Sequence, residues 1–158
     1  MPALAAPNPE YVRAVLSMVN ACPFFLHMGY QLTGFDYDCC EVDLPVQRQH
    51  LQPFGIAHGG VFATLIDTAT FWAAYMRLPQ DAGMVNVDLK LNYLKTASSG
   101  GRLIATGKCL RPGRQVCYSE ASVFDDDGQL VAHGTSTLLV MPGKGLTVPY
   151  PKFVESGT

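Results

Sequence analysis

The sequence predicts one α+β domain in which a long antiparallel sheet packs against a single long apolar helix. Apolar and polar residues alternate through most of the second half of the chain, as they do in half-buried strands. A nearly continuous apolar run at residues 61–76 is typical of a buried helix. The 158 residues are enough for one domain and its core, with residues 1–8 expected to be a loose tail and about 143–158 expected to be a tail that is loose or draped over the surface.

A helix and two strands are expected in the first third of the chain. Asn8 and Pro9 provide an N-cap and a first-turn proline for a helix that ends near Cys22. The alternating residues that follow predict strands at 30–35 and 41–47. A loop rich in turn-forming residues then separates these strands from the long apolar helix.

The long helix and four further strands complete the predicted domain. Gly59-Gly60 opens the helix, and Pro79 follows its end. Beyond the helix, the period-two pattern predicts a strand at residues 85–93. The turn sequences RPGR and DDDG join the three remaining strands, at residues 102–110, 115–124 and 129–141.

Composition and charge argue against several classes of protein. The formal net charge of −2 provides no broad basic surface for nucleic acid. The apolar run at residues 61–76 is too short and too polar to span a membrane, and the N-terminus lacks a secretory signal. The five cysteines have no CxxC spacing, which favours reduced thiols in a cytoplasmic protein. We therefore expect no nucleic-acid or membrane partner.

Asp67 is the only charged residue in the apolar run at 61–76. Removing a carboxylate from water costs several kcal/mol unless it is paired or hydrogen-bonded. No Lys or Arg lies three or four positions away to pair with it. A threonine hydroxyl or backbone donors could hold the carboxylate for structural reasons. The alternative is a carboxylate kept in an apolar setting for catalysis.

The sequence His58-Gly59-Gly60 stands at the start of the same helix. A helix N-terminus presents unpaired N–H groups and a partial positive charge, and glycines let a ligand atom approach them closely. The Gly59 N–H therefore suits a carbonyl oxygen that gains negative charge, as in an oxyanion hole. The glycines could equally serve close helix–sheet packing, and His58 could be a helix cap or a core histidine.

Helix geometry separates the two features. Gly59 and Asp67 are eight residues apart, which is about 12 Å at about 1.5 Å per residue. One helix cannot easily place both groups on the same carbonyl, but two antiparallel copies of the helix could. We therefore predict an obligate homodimer with two equivalent, shared active sites. Such a dimer would also explain why the helix is apolar all round.

Two motifs in this region resemble those of a known family. The pattern QxxGxxHGG at residues 52–60, followed by LID at residues 65–67, is similar to the signature of the PaaI-type acyl-CoA thioesterases of phenylacetate degradation. The resemblance implies the hotdog fold, in which an antiparallel sheet wraps around one long central helix. It also implies homodimers or dimers of dimers that hydrolyse acyl- or aroyl-coenzyme A without a metal. No cofactor is expected, because coenzyme A is part of the substrate.

The resemblance implies a role for each matching residue. Asp67 would be the nucleophile or the general base that activates water. The Gly59 N–H would polarise the thioester carbonyl, and Gln52 would assist near the carbonyl or position water. His58 is expected close to the thioester in a supporting role. Asn86 stands where many relatives have Ser or Thr to orient water, so its contribution is left open.

Coenzyme A also needs cationic groups for its phosphates. The turn that contains Arg111, Gly113 and Arg114 places two guanidinium groups close together, and these can bind phosphate oxygens by charge-assisted hydrogen bonds. The same turn could instead be a solvated hairpin tip. Lys90 is a weaker candidate for the same function.

Two other functions are compatible with the implied fold. A hotdog hydratase or dehydratase acting on enoyl-CoA would add water across a carbon–carbon double bond, but the motif of those enzymes is not found. A non-catalytic acyl-CoA sensor would normally carry a DNA-binding segment, for which this sequence offers no basic helix. The joint presence of Gln52, Gly59 and Asp67 favours hydrolysis. The identity of the acyl group is not readable from the sequence.

Overall fold

Residues 5–154 are described by the computed structural model. Its elements are α1 (Pro9–Asn20), α2 (Pro23–Met28), β1 (Gln31–Asp36), β2 (Cys39–Pro45), α3 (Gly59–Tyr75), β3 (Ala82–Asn86), β4 (Lys90–Tyr93), β5 (Arg102–Arg111), β6 (Val116–Phe124) and β7 (Leu130–Pro142). The strands form one antiparallel sheet in the order β1-β2-β5-β6-β7-β3, and β4 also pairs with β7. None of the helices in this part of the chain is long and apolar enough to cross a membrane.

The sheet curls around α3, which contacts all seven strands. Inward side chains of the strands alternate with exposed ones, so the core lies between the sheet and the helix. A Cβ at Gly107 on β5 would lie 2.1 Å from the Ala69 carbonyl oxygen, so this glycine lets the helix backbone approach the sheet. The Cys40 thiol donates to the same oxygen at 3.0 Å. The predicted α+β class, with a sheet wrapped around one long helix, is confirmed.

A second helix, α2, is absent from the prediction. The sequence predicts only that the first helix ends at Pro23, whereas Pro23 also begins α2. Proline is well tolerated there because the first N–H groups of a helix have no intrahelical acceptor. Gly29 ends α2 in the left-handed conformation, with φ of 69°, and the chain then enters β1.

The strand predicted at residues 85–93 is divided into β3 and β4. Both pair with β7, so the alternating pattern runs through the sequence without a visible interruption. At the break, the Asp88 carboxylate accepts the Thr137 N–H at 2.7 Å and the Thr137 hydroxyl at 2.9 Å. A side chain thus replaces a backbone acceptor, and the regular ladder stops between β3 and β4.

Residues 5–8 and 143–154, which belong to the two expected tails, are joined by backbone hydrogen bonds. The Asn8 N–H donates to the Lys152 carbonyl, and the Val154 N–H donates to the Ala6 carbonyl, both at 3.0 Å. These bonds hold the two ends of the described chain against each other. The remaining tail residues, 1–4 and 155–158, lie outside the described residues.

Lys152 fixes the C-terminal segment to the end of α3. Its side chain is fully buried, and Nζ donates to the carbonyls of Tyr75 at 2.6 Å and Leu78 at 2.9 Å. Nζ also lies 4.1 Å from the centre of the Tyr75 ring. A cation at a helix C-terminus is stabilised by the partial negative charge there. Burial nevertheless lowers the pKa of Lys152 to about 7, because the charged form loses its water.

We predict that wild-type protein gains stability relative to Lys152→Met as the pH rises from about 7 to 10.5. In that window the unfolded lysine keeps its proton while the folded one has lost it, so the free energy of unfolding rises with pH. At the upper end, the variant should be about 1–3 kcal/mol less stable, because the two carbonyls lose their donor.

Urea unfolding at several pH values measures both effects. The control is Lys144→Met, which changes an exposed lysine in the same segment and should shift stability by less than about 0.5 kcal/mol. A pH-independent difference between wild type and Lys152→Met would contradict the prediction.

Candidate active site

Asp67 lies on an edge of α3 that is open in the single chain. Gly60 and Asp67 are exposed, and Thr64 and Phe71 are half-buried. Their spacing of three or four residues places them on one stripe of the helix. One chain therefore does not bury α3 on all sides, and the predicted dimer that would cover this stripe stays a prediction. The sequence alone does not reveal this stripe, because Gly60, Thr64 and Phe71 are residue types that also occur in fully buried helices.

The Asp67 carboxylate faces a cavity of about 430 Å³. Its apolar lining consists of Phe24, Phe25, Tyr30, Ala63, Phe71, Trp72 and Leu89. Partial burial there raises the pKa of the Asp67 carboxyl above its ordinary value. Within residues 5–154, neither an ion pair nor a hydrogen bond holds the carboxylate, since the Thr70 hydroxyl donates at 2.9 Å to the main-chain oxygen of Asp67 instead. The carboxylate is therefore available to water or substrate.

Asn86 supports the main chain of α3 beside Asp67. Its Nδ2 donates to Ser136 Oγ at 2.9 Å, to Thr70 Oγ1 at 3.1 Å and to the Asp67 carbonyl at 3.3 Å. Ser136 donates in turn to the Asp88 carbonyl at 2.7 Å. This network ties the middle of α3 to β3 and β7. Asn86 therefore positions the backbone that carries Asp67, and a role in orienting water stays a prediction.

His58 caps the N-terminus of α3. Its Nδ1 accepts the Gly60 N–H at 2.8 Å, and its carbonyl accepts the Val61 N–H at 2.9 Å. His58 is therefore a helix cap, as one of the alternatives from the sequence expected. The cap uses Nδ1, so Nε2 is the ring nitrogen that takes no part in this bond. The Gly59 N–H has no acceptor within the described residues 5–154. A free N–H at a helix N-terminus is the type of donor that binds a developing oxyanion.

Gln52 and Gly59 line a second cavity, of about 340 Å³. The Gln52 Oε1 accepts the Phe54 N–H, and the Nε2 of the amide makes no hydrogen bond to any residue from 5 to 154. Two available donors therefore share one cavity. Tyr93 also lines it and is 59% exposed, although the alternating strand pattern predicts a half-buried structural side chain. Sequence reasoning missed Tyr93, because nothing in the strand pattern sets it apart.

A single chain does not bring Gly59 and Asp67 to the same cavity. Gly59 and Gln52 line the smaller cavity, Asp67 lines the larger one, and the two linings share no residue. This agrees with the separation of about 12 Å expected from eight residues of helix. The predicted carbonyl-binding donors and the predicted base therefore line two separate cavities in one chain.

Arg111 and Arg114 line a third and wider cavity, of about 930 Å³. Both side chains are exposed, and no ion pair involves them within the described residues. Gly113 lies in the same turn, where a Cβ would come within 2.1 Å of the Val116 carbonyl oxygen, so the turn requires glycine. Lys90 lies on β4 and does not line this cavity.

One residue from each of these two cavities lies near the break between β3 and β4. Thr137 lines the arginine cavity and is bonded to the Asp88 carboxylate. The next residue, Leu89, lines the Asp67 cavity. The two linings share no residue, so they are separate cavities with this break between them.

Several known proteins are similar to this chain in sequence, in fold or in both. Residues 54–132 match the family model of the thioesterase superfamily. The proofreading thioesterase EntH of Klebsiella pneumoniae is 29% identical over 122 residues, which cover 76% of this chain and 87% of EntH. The structure of the E. coli PaaI protein from the phenylacetic acid degradation operon matches with a TM-score of 0.74 and 20% identity, over 83% of this chain and 93% of PaaI. A Streptococcus mutans protein bound to acetyl CoA matches with a TM-score of 0.66 and 26% identity, over 73% of this chain and 90% of that one.

The fold and these similarities define a thioester hydrolase with the hotdog architecture. The chain belongs to the thioesterase superfamily. The predicted resemblance to PaaI-type hotdog thioesterases is confirmed.

We predict that His58→Ala lowers the free energy of unfolding by about 0.5–2 kcal/mol, because α3 loses its N-cap. His58→Asn should retain most of the wild-type stability, since asparagine is a strong N-cap residue. Urea unfolding of both variants checks the cap. We also expect His58→Asn to keep the wild-type turnover number, because the cap is then intact. A large loss of turnover in this stable variant would show that His58 has a direct role in the reaction.

Proposed function

We propose that the protein hydrolyses the thioester of an acyl- or aroyl-coenzyme A to a free acid and coenzyme A. The observation that carries this proposal is the Asp67 carboxylate, which has no hydrogen-bond or ion-pair partner within residues 5–154 and faces an aromatic cavity. A partner-free carboxylate that has lost part of its hydration is reactive toward water or a carbonyl carbon. The Streptococcus mutans relative that binds acetyl CoA supports the choice of ligand.

Asp67 can act in either of two ways. As a general base, it takes a proton from water while the water oxygen attacks the thioester carbonyl carbon. The tetrahedral intermediate then collapses, the carbon–sulfur bond breaks, and the thiolate leaves and takes up a proton. As a nucleophile, Asp67 instead forms an anhydride with the acyl group, expels the thiolate, and is released by water. Both routes need the carboxylate in its deprotonated form.

Gly59 and Gln52 would stabilise the charge that forms on the carbonyl oxygen. The Gly59 N–H and the Gln52 Nε2 are available donors at one cavity, and the positive end of the α3 dipole adds to them. His58 contributes by holding the first turn of α3 in place through its bond to the Gly60 N–H.

The active site would be shared between two subunits. Gln52 and Gly59 line a different cavity from Asp67 in one chain, so the second half-site must come from another copy. Two α3 helices packed antiparallel around a two-fold axis would bring the two half-sites together twice. The open stripe of α3 would be covered in this homodimer, and a dimer of dimers is compatible with it.

Coenzyme A would bind with its phosphates at Arg111 and Arg114. Thr137 of their cavity is bonded to Asp88, and the next residue, Leu89, lines the Asp67 cavity, so a substrate with its phosphates on the arginines would extend past this point toward the carboxylate. Gly113 shapes the turn that presents both guanidinium groups, and Lys90 would act as a more distant cation. Coenzyme A is part of the substrate here, and the proposed steps use only water and groups of the protein. The five cysteines are unpaired, which fits a cytoplasmic protein.

We predict that Asp67→Asn lowers the turnover number by at least about 100-fold, because the amide can neither accept the proton nor attack the carbonyl. Release of free thiol from a panel of acyl-CoAs measures the rate. For the wild type, kcat/KM should fall as the pH falls through the raised pKa of Asp67, since only the carboxylate form is active. Hydrolysis at the wild-type rate by a folded Asp67→Asn protein would overturn the proposal.

We predict that two inactive variants restore activity when mixed. Asp67→Asn and Gln52→Ala subunits should exchange into heterodimers in which one site carries both substitutions and the other is intact. Random exchange then gives about a quarter of the wild-type activity, because half of the dimers carry one intact site of two. Mixing after partial unfolding and refolding provides the exchange, and each variant refolded alone is the control. Activity that never exceeds the sum of the two separate variants would contradict a shared site.

A further inference from the structure

We propose that the Tyr93 hydroxyl is a third hydrogen-bond donor to the thioester carbonyl, beside the Gly59 N–H and the Gln52 amide. This assignment rests on the proposed function of the site. Tyr93 lines the same cavity as those two residues and is 59% exposed, so its side chain is accessible to a ligand. A phenol that touches the reacting carbonyl would be a catalytic residue.

The phenol lies against the first residue of α3. An ideal Cβ at Gly59 would be 3.1 Å from both Cζ and Oη of Tyr93. Such a Cβ is about 2.5 Å from its own backbone nitrogen, so Oη cannot be more than about 5.6 Å from the Gly59 nitrogen. One oxygen atom can lie about 2.9 Å from two donors that are separated by this distance or less. The spacing of Oη and the Gly59 N–H therefore allows both to bind the same carbonyl oxygen.

The Tyr93 hydroxyl is available for such a bond. Within residues 5–154 it has no hydrogen-bond partner, unlike the hydroxyls of Tyr11 and Tyr75, which bond to each other at 2.8 Å. A phenol hydroxyl can donate to an oxyanion and become stronger as a donor while negative charge grows on the oxygen. Its contribution should therefore appear mainly in the transition state.

The surrounding structure holds the Tyr93 ring in place. The residue pairs with Ala132 in the β4–β7 ladder, and the N–H of the next residue, Leu94, donates to the Val131 carbonyl at 2.9 Å. The ring makes an edge-to-face contact with Phe62 on α3, with centroids 6.1 Å apart. These contacts limit the positions that the ring can take before the substrate binds, which favours preorganised electrostatic catalysis.

Gly59 is also explained by this arrangement. A Cβ at position 59 would lie 3.1 Å from Cζ and Oη of Tyr93, so the phenol would have to shift by a few tenths of an ångström. The glycine thus keeps the N–H accessible and leaves room for the phenol beside it. A ring that served only as an apolar wall would need neither a free hydroxyl nor a polar neighbour.

Tyr93→Phe tests the assignment, because it removes the hydroxyl and keeps the ring with its contact to Phe62. We expect kcat to fall by at least about tenfold with KM nearly unchanged, since the lost bond forms mainly in the transition state. The thermal midpoint should stay at the wild-type value. Tyr150→Phe, which changes an exposed tyrosine in the C-terminal segment, is the matched control and should keep the wild-type kcat.

The outcomes separate this assignment from the proposed function. Wild-type kcat in a folded Tyr93→Phe protein overturns the assignment while the wild type still hydrolyses acyl-CoA. A rise in KM with unchanged kcat also overturns it, because Tyr93 would then bind substrate and transition state equally. No thiol release by the wild type with any acyl-CoA overturns the proposed function and this assignment with it.

Discussion

The rigid separation of Gly59 and Asp67 along α3 is the constraint on which the rest of the site depends. Eight residues of helix keep the free N–H and the partner-free carboxylate about 12 Å apart, and no side-chain rotation removes that distance. The two groups line different cavities as a result. A carbonyl that needs a donor and a base at the same time must therefore lie between two helices. The geometry of one helix thus implies the symmetry of the proposed assembly.

The sheet matters to the chemistry because it holds α3 straight and in register. Gly107 allows the helix to approach closely, and the Asn86 network fixes the backbone at Asp67 to β3 and β7. The Asp88 side chain interrupts the ladder between β3 and β4; its partner Thr137 lines the arginine cavity, and its neighbour Leu89 lines the Asp67 cavity. A local irregularity of the sheet therefore lies beside both cavities that the proposed substrate would occupy.

Structural features that depend on the local pattern of residues can be predicted from the sequence, whereas features that depend on contacts between distant residues cannot. The long helix and the alternating strands follow from periodicity, and Asp67 is recognisable because a charge is costly in an apolar helix. The break at Asp88 requires Thr137, and the anchoring of the C-terminal segment requires the buried Lys152. Neither contact changes the local order of apolar and polar residues in the sequence. Tyr93 was missed for the same reason, since an alternating strand does not show that its last residue lies beside Gly59.

The proposed dimer would also adjust the acidity of the catalytic carboxylate. Burial in one chain already raises the pKa of Asp67, and covering the open stripe of α3 with a second subunit would remove more water from it. Desolvation alone would eventually keep the carboxyl protonated and inactive. The antiparallel arrangement opposes this, because it brings the N-terminus of the other α3, with its free Gly59 N–H and its positive dipole end, toward the same carboxylate. The group that binds the carbonyl oxygen would thereby help to keep the base charged until substrate arrives.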